Sequence, residues 1–350
     1  MTQRLPIGIV GGTGYVSGEL LRLLATHPSL RLGCIASASQ PGTAVAEVFP
    51  NLANCLDEAN FASLDDLDSM WRDGGLSGLF CATPHGAAAP IIAGLLEGYG
   101  GSGRVVDISA DFRFADVGIF REVYGQEHGA PELAGEFFCA VPEHAARIPT
   151  RHAAHPGCFA TAMLLGVVPL LRSGLTDGRF HIAGVTGSTG SGRSPLATTH
   201  HPERHSNLYA YRPLTHRHAP EVQAVARQMT GEDAAVRFVP HSGPFARGIH
   251  VTIQGNLVGG ADGSALLAAL KQAYQDKSFV EVVDSPPRIK DVIGSNRARI
   301  TATAEAESYA VMVVLDNLVK GAAGGAMQWM NRLLGLAETE GLTIPGPAWT

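Results

Sequence analysis

Cysteine is scarce in this chain, five in 350 residues, and no two stand as Cys-x-x-Cys. That excludes a disulfide scaffold and leaves no sign of a zinc ribbon or a dithiol redox pair. No run of 18 uncharged apolar residues occurs, so no membrane-spanning helix is expected. Charge of one sign gathers nowhere: 26 Lys+Arg against 32 Asp+Glu leave a net −6. This argues against nucleic acid or an anionic membrane as partner. The opening MTQRLPIGIVGG lacks the apolar core and cleavage signal of a secretion leader, and a cytoplasmic location is expected. Repeats and low-complexity segments are missing too. What is present is bulk. Hydrophobic residues make up 45% of the chain and exclude wholesale disorder. At about 150 residues per domain, the length suggests two domains. The 42 glycines and 21 prolines are too many for a helical bundle and suit a turn-rich α/β enzyme.

The first 125 residues alternate strand and helix patterns. Leu5–Val10 is a short apolar run followed at once by glycines. Residues 16–25 have helix spacing through Leu20, Leu21, Leu23 and Leu24, stopped at Thr26-His27-Pro28. Further strands are expected at Leu30–Ala36, 78–82 and 105–108. Short apolar strands between helices predict a parallel sheet covered on both faces. Beyond a boundary between Pro149 and His155 the pattern changes. A helix over 159–171 precedes strands at 180–185, 235–239, 249–254 and 309–315, with Gly- and His-rich loops between them. This predicts a second α/β domain with a mixed or antiparallel sheet. One helix is expected from 317 to 336, and a surface tail over 344–350.

The segment IGIVGGTGYVSGELLRLL reads as strand, glycine turn and helix. Gly11 permits the tight turn, and Gly14 lets the backbone approach a pyrophosphate. The helix beginning near Tyr15 turns its free N–H groups toward the negative charge. Gly11, Thr13, Gly14, Tyr15 and Val16 are therefore the candidate coenzyme loop. Ser17 stands where the fingerprint has its third glycine. A site for NAD usually carries an acidic residue at the end of the second strand. Here Cys34-Ile35-Ala36-Ser37-Ala38-Ser39-Gln40 has none, and no carboxylate appears before Glu47. NADP is expected, with Ser37 and Ser39 as donors to its 2′-phosphate, although no Arg or Lys is at hand to pair with it.

Cys158 follows Pro156-Gly157 and opens a helix, where free N–H groups and the helix dipole favour a thiolate. Nearby histidines could take its proton. Cys34, Cys55, Cys81 and Cys139 lack that setting. The run VTGSTGSGRSP, 185–195, is too polar for a core, and its N–H groups and Arg193 could cradle an anion. His200, His201, His205, His216 and His218 then crowd 19 residues. They match no metal-site spacing, and no metal is expected. His216 and His218 would share one face of an extended chain. Glu221 is placed to orient an imidazole. Arg193 and Arg217 are candidate partners for a phosphate or carboxylate, in competition with Arg113, Arg204 and Arg247.

Taken together these motifs resemble the N-acetyl-gamma-glutamyl-phosphate reductases. The resemblance runs through GGTGYVSGELLRLL, ATPHG at 82–86, DISADFRF at 107–114, VPE at 141–143, HPGCFAT at 155–161, HRHAPEV at 216–222, PFARGI at 244–249 and DNLVKGAAGGAMQWMN at 316–331. It implies a Rossmann domain over 1–154 plus 317–350, the C-terminal helix returning to it, and a catalytic and oligomerisation domain over 155–316. It implies NADPH-dependent reduction of N-acetyl-gamma-glutamyl phosphate, a step of arginine biosynthesis, in a cytoplasmic homodimer or homotetramer. Cys158 becomes the nucleophile and His216 or His218 its assistant. His155, Arg193, Arg217 and Glu221 become candidate substrate contacts. His155 replaces the family's Asn beside the cysteine, and Phe159 replaces Tyr. The His-rich stretch also looks like the related lysine-pathway reductases, whose aminoadipyl phosphate rides on an acidic carrier protein. That substrate and partner are the alternative.

Overall fold

Short apolar strands followed by amphipathic helices build the first half. The computed structural model describes residues 4–56 and 59–347. β1 (Leu5–Val10), α1 (Tyr15–Ala25), β2 (Leu30–Ala36), α2 (Val45–Val48), α3 (Leu64–Arg72), β3 (Gly78–Cys81), α4 (Ala88–Leu96), β4 (Arg104–Asp107), α5 (Val117–Tyr124), β5 (Phe137–Cys139) and β6 (His152–Ala154) follow in order. The six strands form one sheet, β2-β1-β3-β4-β6-β5, with every neighbouring pair parallel. β3 is buried along its whole length, as a strand covered on both faces must be. Strand order reverses between β1 and β3, which opens a crevice at the C-terminal end of β1.

The second half is built around α6 (Cys158–Ser173), a deeply buried helix. It is followed by β7 (Arg179–Thr186), α7 (His201–Arg204), β8 (Tyr209–Ala210), α8 (His218–Thr230), β9 (Ala235–Ser242), β10 (Ile249–Asn256), α9 (Gly263–Tyr274), β11 (Val280–Val282), β12 (Ala298–Glu305) and β13 (Ser308–Leu315). The sheet order is β11-β12-β13-β10-β7-β9-β8. Only β7/β9 and β11/β12 are parallel, so the sheet is mixed. α6 packs on β10 and β13 and is flanked by α8 and α9. Residues 159–170 of α6 are all buried, which is why no polar face appears in its sequence. Pro169 lies inside this helix and cannot donate to the Leu165 carbonyl. The Tyr274 hydroxyl of α9 donates to that carbonyl instead.

The chain then returns. A π-turn at Val319–Ala323 leads into α10 (Gly324–Leu333), which packs on β4, β6 and α1. The single helix expected from 317 is thus a wider turn followed by a regular helix. One compact unit holds the residues up to Cys139 with Arg147–His155 and Ala322–Thr343. The other holds Ala140–Ala146, Pro156–Gly321 and the residues from Ile344. Of the tail expected over 344–350, Gly346 and Pro347 lie against Ile293 and Gly294, and 348–350 lie outside the described residues.

Several histidines are interior groups. His152 accepts the Val105 N–H at Nδ1, 3.1 Å, and burial above all lowers its pKa to about 4. His144 lies 2.9 Å from the Tyr274 hydroxyl, and burial lowers its pKa to about 3. Both stay neutral in the folded protein after the unfolded chain has taken up protons near pH 6.5. Folding stability is therefore full above that value and is lost as pH falls toward 4. Asp107 opposes this weakly, since burial raises its pKa to about 6. Urea denaturation at pH 7.5 and at pH 5 should give a clearly lower midpoint at pH 5. Equal midpoints would contradict this reading of the histidines.

Candidate active site

The coenzyme crevice starts at Gly11, whose φ is +88° and where an added Cβ would lie 2.8 Å from the Ala82 carbonyl oxygen. Only glycine fits there. Gly14 caps α1, and a Cβ built on it meets nothing within 4 Å. α1 begins with no side-chain cap and no acidic residue in its first turn. A helix start with no capping side chain, no acid in its first turn and room at Gly14 fits a bound pyrophosphate. Thr13 and Val16 are half-buried beside this opening and Tyr15 is exposed. Ser17 is wholly buried, and its hydroxyl donates to the Gly11 carbonyl at 2.8 Å. The serine that departs from the fingerprint thus ties the loop shut. After β2, the buried Ser37 hydroxyl accepts the Gln40 N–H at 3.2 Å and shapes the turn. Ser39 is the exposed hydroxyl of the pair, 3.4 Å from Ser37 Oγ. No carboxylate stands in this turn.

In the second unit, Gly157 caps α6 and Cys158 is its first residue, half-buried and in no disulfide. Glu221, wholly buried on α8, takes the Gly157 N–H at Oε1, 2.7 Å. Besides the imidazole-orienting role expected of it, this carboxylate braces the turn that presents the thiol. From the other side the π-turn comes close. A Cβ on Gly321 would lie 2.8 Å from Cys158 Cβ and 3.1 Å from its Cα. π-turns often mark functional sites, and here the wider turn seats glycine backbone on the cysteine. Gly321→Ala should push Cys158 out of line and lower kcat about 100-fold, with KM for coenzyme little changed. Steady-state kinetics check this; a kcat within a factor of two of wild type would contradict it.

His216 and His218 stand on either side of Arg217 at the start of α8, both buried. The backbone turns at Arg217 (φ −57°, ψ −18°), so the two rings meet edge to face at 4.6 Å rather than lying along an extended strand. The His218 N–H donates to His216 Nδ1 at 3.2 Å. This places the proton of neutral His216 on Nε2. Burial first, then the Arg217 and Arg212 charges, lower its pKa to about 4. Both rings meet Phe159 edge-on, at 6.2 and 6.3 Å, which ties them to the residue next to Cys158. Phe159 itself fills the space over Gly184 of β7.

Tyr211 completes the cluster, 5.6 Å from the His216 ring. Burial pushes its hydroxyl pKa well up, and the Cys158 thiol adds to the shift. Sequence reasoning missed Tyr211. Its only signal was an aromatic five residues before His216, with no period to single it out.

The arginines separate clearly. Arg193 is exposed at the end of the glycine-hydroxyl loop. That loop is anchored by Thr189, whose N–H and hydroxyl both donate to the Ala246 carbonyl, at 3.1 and 2.6 Å. Arg217 is half-buried, and its charge reaches His216. Arg247 is held by Asp316 in a two-point pair, at 3.1 and 3.2 Å. Arg204 is buried, with Nη2 at 3.5 Å from the Phe245 carbonyl and with Nε and Nη1 lacking an acceptor. Buried guanidinium N–H groups without partners are costly, so Arg204 is the arginine of this unit best prepared for an anion. In the first unit, Arg113 donates to the Ile108 carbonyl at 3.2 Å. His155, also there, is wholly buried, its ring filling the space that a side chain at Gly325 would need.

No described helix is long and apolar enough to cross a membrane. Residues 6–158 match the model of the semialdehyde dehydrogenase NAD binding domain, and 158–317 that of the semialdehyde dehydrogenase dimerisation domain. The chain is 41% identical over 348 residues to the N-acetyl-gamma-glutamyl-phosphate reductase of Pseudomonas aeruginosa, covering 97% of this chain and 98% of that protein. It is 40% identical over 350 residues to the protein of that name from Rhodospirillum rubrum, covering 98% of each. Among solved structures, aspartate semialdehyde dehydrogenase II of Vibrio cholerae shares the fold. The TM-score is 0.69 at 15% identity, over 95% of this chain and 99% of that one.

Proposed function

Because the chain belongs to the N-acetyl-gamma-glutamyl-phosphate reductase family of semialdehyde dehydrogenases, we propose that it reduces N-acetyl-gamma-glutamyl phosphate to N-acetylglutamate 5-semialdehyde and phosphate, with NADPH as reductant. The observation that carries the reading is the turn that presents Cys158, braced by Glu221 and Gly321 and tied through Phe159 to two histidines. The name borne by the relatives favours this substrate over the six-carbon acyl phosphate on a carrier protein.

The Cys158 thiolate attacks the acyl carbon, the carbon–oxygen bond to phosphate breaks, and a thioester remains on the sulfur. When bound, the coenzyme supplies a hydride to the thioester carbonyl. The oxyanion of the resulting thiohemiacetal is met by N–H groups at the start of α6. His216 acts as a neutral donor through Nε2–H, since it resists protonation down to about pH 4. That leaves His218 as the group that takes up and returns the proton. Collapse of the thiohemiacetal releases the aldehyde and restores the thiolate. Arg204 is the proposed anchor for the substrate's charged end, with Arg217 and Arg193 nearer the surface. His155 acts by packing rather than by touching substrate.

Gly11, Thr13, Gly14, Tyr15 and Val16 are proposed to hold the coenzyme, with Ser39 and the Ser37 turn admitting its 2′-phosphate. The first unit is then the NADP domain and the second the catalytic and oligomerising one, in a cytoplasmic homodimer or homotetramer. The test is the reverse reaction. N-acetylglutamate semialdehyde should drive NADP reduction only when phosphate is present, faster than NAD reduction, and with little dependence on salt. Turnover confined to a carrier-attached six-carbon semialdehyde would overturn the substrate assignment.

A further inference from the structure

Four arginines gather on the first unit at the end of the sheet away from the coenzyme loop. Arg104 opens β4, Arg151 leads into β6, Arg332 lies in the last turn of α10, and Arg147 stands in the loop before β6. With Thr150 and Ile148 they line an open cavity of about 370 Å³. The strands are parallel, and Gly11 and Ser37 follow the C-terminal ends of β1 and β2. Arg104 and Arg151 sit at the N-terminal ends of β4 and β6, so the two places are at opposite ends of the parallel strands.

Helix chemistry and ion pairing account for only one of the four charges. A helix C-terminus carries about half a negative charge, and Arg332 answers it while facing Glu338 at 3.7 Å. Among the described residues, Arg104, Arg147 and Arg151 have no carboxylate within ion-pair distance. Two of the guanidiniums are instead held by neutral groups. Arg104 Nη1 donates to the Ser102 carbonyl at 2.7 Å, and Arg151 Nη2 donates to that of Gly101. Arg151 also lies over the Tyr99 ring at 5.8 Å, and Arg332 over Trp329 at 5.0 Å. Arg151 Nε is buried without an acceptor. The field of the cluster is felt inside the unit, where Arg151 and Arg104 help to keep His152 neutral. Like charges fixed together repel, and planar guanidiniums held in advance lose little freedom on meeting oxyanions.

We propose that this cavity is a second ligand site, built from none of the coenzyme-loop or Cys158-turn residues, for a small free anion with two or more negative charges on oxygen. A phosphorylated or polycarboxylate metabolite meets that description. The volume matches a small molecule rather than a macromolecular surface.

The probe is inorganic diphosphate, titrated by calorimetry into the full-length protein with its coenzyme site saturated by NADP. Wild type should bind it, more weakly as salt rises. Arg104→Gln and Arg147→Gln should each weaken binding about tenfold or more, while kcat and the KM for coenzyme stay unchanged. Arg147 is exposed, so its variant keeps the test alive if Arg104→Gln folds poorly. No binding by wild type, or undiminished binding by Arg147→Gln, would overturn the proposal. So would a change of oligomeric mass in either variant, since the patch would then be a subunit contact.

Discussion

Cys158→Ser is expected to fold and bind coenzyme like wild type and to lose turnover by a factor of about 10³ or more. Serine is nearly isosteric and suits the start of a helix, so the turn at Gly157 and its bond to Glu221 survive. What changes is the nucleophile. A hydroxyl is far harder to ionise at neutral pH than a thiol, and neutral His216 cannot make up the difference. The measurement is kcat alongside coenzyme affinity and circular dichroism. A variant retaining a tenth of wild-type turnover would rule out covalent catalysis at this residue.

The second large effect is on stability. Lys320 and Glu143 are both wholly buried and paired at 2.5 Å, with the Lys320 ammonium 5.6 Å from the Phe279 ring. Lys320→Met would leave the Glu143 carboxylate in the interior without its cation, at a cost of about 3–5 kcal/mol. That is a large share of the 5–15 kcal/mol or so that holds a typical protein folded. Removing both charges, as Lys320→Met with Glu143→Leu, should recover most of the loss, because the penalty belongs to the orphaned charge. Urea denaturation of the three proteins checks this. A single variant as stable as wild type would show that the pair carries no such weight. Lys320 directly precedes Gly321, so the single variant should also lose activity below its unfolding midpoint.

The parallel sheet was readable in advance at β1 to β4, because each is a short apolar run bounded by glycine or a helix signal. β5, β6, β8 and β11 have only two or three residues, too few to show a period of two. The register of the mixed sheet was unreadable for a related reason: its strands pair across long stretches of chain, β7 with β9 and β10 with β13. The cysteine turn could be read because Pro, Gly and Cys each have a local meaning before a helix. The braces on it could not. Glu221 reaches Gly157 across 64 residues, and Gly321 reaches Cys158 only because a π-turn widens the backbone there. Nothing local in the sequence sets Arg204 ahead of the candidates Arg193 and Arg217; its burial does. Ser17 stands at the fingerprint's third-glycine position, and only the folded loop shows its hydroxyl closing onto Gly11.

The acyl-enzyme itself is the most direct test. Wild-type protein is mixed with N-acetyl-gamma-glutamyl phosphate in the absence of NADPH, quenched in acid, and weighed intact and after digestion. A covalent N-acetylglutamyl group should appear on the peptide carrying Cys158, be discharged when NADPH is added before the quench, and be missing from Cys158→Ser. An enzyme that turns over under the same conditions yet shows no adduct, or carries it on another residue, would contradict the thioester mechanism.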